Sequence, residues 1–139
     1  MASISNSLSL KGTSTDLGST LALTVSDVLG IGAPQRNVSK ELVPGHGGNS
    51  THLNLLTTAD TTTVMYVYLK HSGVQGDGTT TSTDNLIVKN GDGIAIAQLA
   101  PLEFMFIPFL DVAKAQTLDA YSGHTSQTIT IEYAYFTKV

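Results

Sequence analysis

The sequence predicts an all-β chain: an antiparallel two-sheet β-sandwich, jelly-roll-like, with about eight strands. Three observations predict it. Short runs of Thr, Val, Ile and Tyr alternate polar with apolar residues, and turn residues separate them. No long 3.6-residue period marks a substantial helix. Two runs, Val64–Leu69 and Phe104–Phe109, are apolar on both faces, the pattern of strands covered on each side.

The elements follow in order. Ile4 to Leu10 alternates, with Ile4, Leu8 and Leu10 on one side and Ser5, Ser7 and Ser9 on the other. Residues 19–26 place Leu21, Leu23 and Val25 on one face. Residues 27–49 read as the least regular part. Gly30, Gly32 and Pro34 suggest a loop, Val38 to Val43 a short strand, and Pro44 to Gly48 a turn that exploits positive φ. Thr51 to Leu56 is a strand, and Thr57 to Thr63 a polar connection. Val64 to Leu69 belongs at the centre of a sheet.

Gly73 to Thr83 reads as a long exposed loop. Leu86 to Val88 and Gly93 to Leu99 form a hairpin around Asn90-Gly91-Asp92-Gly93, with Ile94 and Ile96 inward. In Phe104–Phe109, Pro108 cannot donate to a ladder, which places that run at a sheet edge or strand end. Residues 110–116 read as one helical turn. Thr117 to Tyr121 and Thr128 to Phe136 read as a last hairpin, with Ile129, Ile131, Tyr133 and Tyr135 on one face. Residues 1–139 are expected to form one domain, with 1–12 as an N-terminal arm or edge strand.

Composition narrows the function. The net charge is −4, and Arg36 and six scattered Lys make no basic patch, so phosphate binding by counterion release is not expected and no nucleic-acid partner is predicted. No apolar run reaches membrane-span length, and no signal peptide is expected at residues 1–10. The chain has no Cys, which excludes disulfides and thiolate metal sites. Charged residues are 13%, about half the usual share. The polar surface is built from 19 Thr and 13 Ser. Neutral hydroxyls lose less on desolvation than charges do, so such a surface suits protein–protein contact.

The search for chemistry predicts no catalytic residues, cofactor or metal. His46, His52, His71 and His124 show no metal-ligand spacing, and His46 and His124 read as solvated turn residues. His46 to His52 lacks the His-x-His pattern of a cupin. Asp77 and Asp92 sit in Gly-flanked turns and supply too few oxygens for a calcium loop. There is no Gly-x-Ser-x-Gly elbow and no P-loop, and Gly30-Ile31-Gly32 lacks the third glycine of a dinucleotide fingerprint. Tyr66, Tyr68, Tyr133 and Tyr135 lie at two-residue spacing in strong strands and read as packing residues.

One stretch goes beyond pattern. Leu53-Asn54-Leu55-Leu56, the Val64–Lys70 strand, Asn85–Val88, Ile94–Phe104 and the final Ile131–Phe136 together resemble small β-structured virion proteins of tailed bacteriophages. Those chains share a strand ending in Lys, a Leu-x-Pro-Gly-Glu corner, an apolar strand ending near Pro, and a terminal Glu-Tyr strand. Here Leu102 stands where the corner glycine is usual. The resemblance covers the last ninety or so residues. It implies a capsid decoration or cement protein on the virion surface, made in the host cytoplasm. Its implied partners are itself, as a homotrimer, and the major capsid protein, and no catalytic residues carry over. Ile4, Leu8 and Leu10 are the candidate assembly arm, able to add to a neighbour's sheet edge or to pair within their own sandwich. The alternative reading is a tail-fibre or receptor- or glycan-binding β module.

Overall fold

The computed structural model describes residues 2–13, 20–47, 51–57, 64–109 and 117–139. It contains nine strands among these residues: β1 (Ala2–Thr13), β2 (Thr20–Val43), β3 (Leu53–Leu56), β4 (Met65–Gln75), β5 (Leu86–Asn90), β6 (Ala95–Leu99), β7 (Phe104–Phe109), β8 (Leu118–Ser122) and β9 (Ile129–Lys138). The expected polar connection after Leu56 lies mostly, and the helical turn at 110–116 wholly, outside the described residues. The strands form two antiparallel sheets, ordered β1-β2-β9-β4-β7 and β3-β8-β5-β6.

The chain divides into two compact units, residues 1–32 with 138–139, and residues 33–137. The first contains β1 paired antiparallel along its whole length with the opening half of β2, from Ala2↔Ile31 to Thr13↔Thr20. Val139 joins this ribbon by donating its amide to Gly30 O at 3.2 Å. A Cβ on Gly32 would lie 2.9 Å from Val139 Cγ2, so glycine there serves close approach. The loop expected across residues 27–37 is therefore corrected: β2 continues through Gly30, Gly32 and Pro34. Gly and Pro weaken an extended strand without forbidding it, and edge positions tolerate Pro.

The second unit is the sandwich. Its core joins Val43, Leu55, Leu56, Met65, Val67, Leu69, Leu86, Val88, Leu118, Ile129, Ile131 and Tyr133, drawn from both sheets. β4 is central, between β9 and β7, as its two-sided apolarity predicts. β7 is an edge strand with Pro108 exposed, as the missing donor requires. Ile129, Ile131 and Tyr133 are buried on one face of β9, with Tyr135 packed against them. The Tyr133 hydroxyl donates to Leu55 O, joining the two sheets through the core.

Four further expectations are corrected. β8 and β9 lie in different sheets and are not a hairpin. β6 buries Leu99 and half-buries Ala97, while Ile94 is 61% and Ile96 43% exposed. The partners Leu86↔Leu99 and Val88↔Ala97 fix that phase, and a bulge follows at Val88/Lys89. Of the loop expected over Gly73 to Thr83, Gly73 to Gln75 belong to β4, while residues 77–81 are exposed as expected, and the segment is closed by Gln75 N to Thr80 O and Ser82 N to Gly73 O. Within it the Thr80 hydroxyl and the Thr79 and Thr80 amides hold the Asp77 carboxyl down at about 2. Finally, Pro44 to Gly47 runs beside β8, with Ser122 N donating to Pro44 O and His46 N to His124 O. Gly45 has no positive φ; a Cβ there would sit 2.8 Å from Ser126 N.

Candidate functional site

The predicted arm residues fall on the ribbon. Ile4 pairs with Leu29, Leu8 with Val25 and Leu10 with Leu23. Directly opposed residues of an antiparallel pair share a face. Leu8 is 39% and Val25 52% exposed, Ile4 and Leu29 are half-buried, and the polar pair Asn6↔Asp27 lies between them on the same face. The alternate pairs are Ser5↔Val28, Ser7↔Ser26 and Ser9↔Thr24. The serines of β1 thus share one face, together with the exposed Val28.

A second surface lies on the outer face of the β9-β4-β7 sheet. Tyr66 opposes Pro108 and Phe136, Tyr68 opposes Phe106 and Ala134, and Lys70 opposes Phe104 and Glu132. Tyr66 and Phe106 stack at 5.8 Å. Phe104 and, at the preceding corner, Leu102 are exposed. Burial first, and then the Glu132 carboxylate, pushes the Tyr68 phenol above its ordinary range. The tyrosines at two-residue spacing therefore divide: Tyr133 packs between the sheets, and the buried Tyr66 and half-buried Tyr68 lie on the opposite face of their sheet.

Chemistry-bearing side chains also meet in a cleft of about 420 Å³ on the outer face of β3-β8-β5. Leu118 and Ala120 turn into the core, so the alternation sends Asp119 and Tyr121 outward. Asp119 pairs across the ladder with Asn54 on one side and Lys89 on the other. His46 lies against the Tyr121 ring at 4.6 Å, and the Lys89 ammonium sits over the same ring at 4.6 Å. Asp119 Oδ2 accepts the Thr117 hydroxyl at 3.0 Å and lies 3.9 Å from His52 Nε2, too far for a hydrogen bond. Gly91 and Gly93 of the β5–β6 turn form the rim. No group of three or more His, Cys, Asp or Glu able to hold a metal occurs among the described residues.

The other two histidines have local roles. His71 is fully buried and accepts Gly73 N at Nδ1, which leaves Nε2 to donate to Asp84 O at 2.9 Å. Burial pulls its pKa below the ordinary 6.5. His124 is half-buried; its Nδ1 accepts Ser126 N and Gln127 N, each at 3.1 Å. The sequence reading missed the cleft because His46, His52, Lys89, Asp119 and Tyr121 come from separate segments at no diagnostic spacing. No family model matches the chain, and no curated protein or solved structure matches it either.

Proposed function

We propose that the protein is a non-enzymatic structural component of a virion, a capsid decoration or cement protein that stabilises the capsid lattice by protein–protein contacts. The observation that carries this reading is the ribbon, whose cross-strand pair Leu8 and Val25 is open to solvent. A two-stranded hairpin is marginal in water and gains stability when a third surface covers its apolar face. The hydroxyl-rich, charge-poor composition supports the same reading, because such a surface is desolvated at low cost. So does the exposed aromatic edge at Phe104, a type of residue enriched at interfaces. The strand order supports a jelly roll: with β1 set aside, four-stranded sheets β2-β9-β4-β7 and β3-β8-β5-β6 remain, and consecutive strands change sheet at every step except β5–β6. The resemblance of the last ninety or so residues to phage virion proteins supplies the location and the partners, a homotrimer on the major capsid protein.

Sedimentation of the full chain, alone and with assembled capsid shells, tests this. The expected result is a trimer that co-sediments with shells. Leu8→Asp with Val25→Asp should abolish both while leaving the β-sheet circular dichroism intact. A monomer at every concentration that ignores shells overturns the proposal.

A further inference from the structure

The outer-face cleft holds an unusual charge arrangement. Lys89 and Asp119 are direct cross-strand partners, close enough to form an ion pair. No ion pair joins them. The ammonium turns over the Tyr121 ring, and the carboxylate turns toward Thr117 and His52. One positive and one negative group are thus held apart across the same cleft.

A lone anion entering the cleft would meet Asp119, and a lone cation would meet Lys89. A ligand that fits both carries hydrogen-bond donors at one end and a negative group at the other. The remaining lining is mixed in the same way: Thr51, Asn90, His46 and His52 offer hydrogen-bonding groups, and the Tyr121 ring offers an apolar wall. The volume of about 420 Å³ is in the range of small-molecule sites. A small zwitterion would leave Thr51, Asn90 and the two histidines without partners. A six-membered sugar ring, with hydroxyls around its perimeter and one carboxylate, matches the distribution of groups.

We propose that this cleft is a saccharide-binding site selective for a hexuronate-type sugar, with ring hydroxyls donating to Asp119 and the sugar carboxylate on Lys89. This goes beyond lattice binding and does not depend on it. The site would add a glycan contact to a protein held in place by other surfaces.

Protein- and ligand-observed NMR on the full chain tests it, with glucuronate, galacturonate, glucose and L-alanine as the probes. The uronates should bind with millimolar affinity and shift the ring resonances of His46 and His52. Glucose should bind several-fold more weakly. Lys89→Gln should reduce the uronates to the level of glucose, and Asp119→Asn should weaken every sugar about tenfold. If Asp119→Asn does not fold, Thr51→Val and Lys89→Gln carry the test. Three outcomes overturn the proposal: silent His46 and His52 resonances with both uronates on folded protein, binding of L-alanine alone, or uronate binding that survives every folded cleft variant unchanged.

Discussion

Leu102 and Gly73 are locked together. Leu102 holds φ at 73°, the left-handed region, and Gly73 holds φ at 84°. A Cβ on Gly73 would lie 2.6 Å from Leu102 Cδ2. Leu102 N donates to His71 O, and His71 N donates to Glu103 O, so the corner is tied to β4 on both sides of the strained residue. The Ala100–Glu103 turn, closed by Glu103 N to Ala100 O, puts Leu102 where a turn with Pro at its second position favours glycine.

Gly73→Ala should therefore destabilise the chain by about 2 kcal/mol, combining backbone strain with a steric clash. Leu102→Gly should be neutral to stabilising by about 0.5 kcal/mol, since relief of strain is partly offset by unfolded-state entropy. In the Leu102→Gly background, Gly73→Ala should cost less than it does alone. Urea unfolding of the four proteins checks the coupling.

His71 should make the fold acid-sensitive. Its folded pKa lies below the ordinary 6.5, because burial disfavours the charged ring. The unfolded chain therefore takes up the proton first. This stability is fully present above 6.5 and is lost as pH falls toward the lower folded value. Urea midpoints measured from neutral to mildly acid pH should fall in the native chain. The fall should flatten in a folded His71→Gln variant.

The Tyr133 hydroxyl should matter more than the ring contact around it. Tyr133→Phe removes the donor to Leu55 O inside the sandwich and strands a buried carbonyl. The expected cost is about 2 kcal/mol, with the sheet architecture retained. Thermal melts together with far-ultraviolet circular dichroism measure both.

What could be read from the sequence was set locally. Two-sided apolarity placed β4 at the centre, Pro108 placed β7 at an edge, and the alternation in β9 identified its core face. What could not be read depends on distant partners. The inward phase of β6 is set by Leu86↔Leu99 and Val88↔Ala97 across the hairpin, and isoleucines at 94 and 96 give the opposite local signal. β8 and β9 look like a hairpin because they are adjacent in sequence, but their hydrogen-bonding partners lie in different sheets. The cleft exists only because the β3-β8-β5 order brings Asp119 beside Lys89.

The neighbour of β2 in its sheet is β9, the last strand of the chain. During synthesis the early strand stays unpaired on that side until β9 has been made. Closure is then a late, long-range event of the slow kind. A copy without β9 leaves a bare edge on β2, open to pairing with another chain.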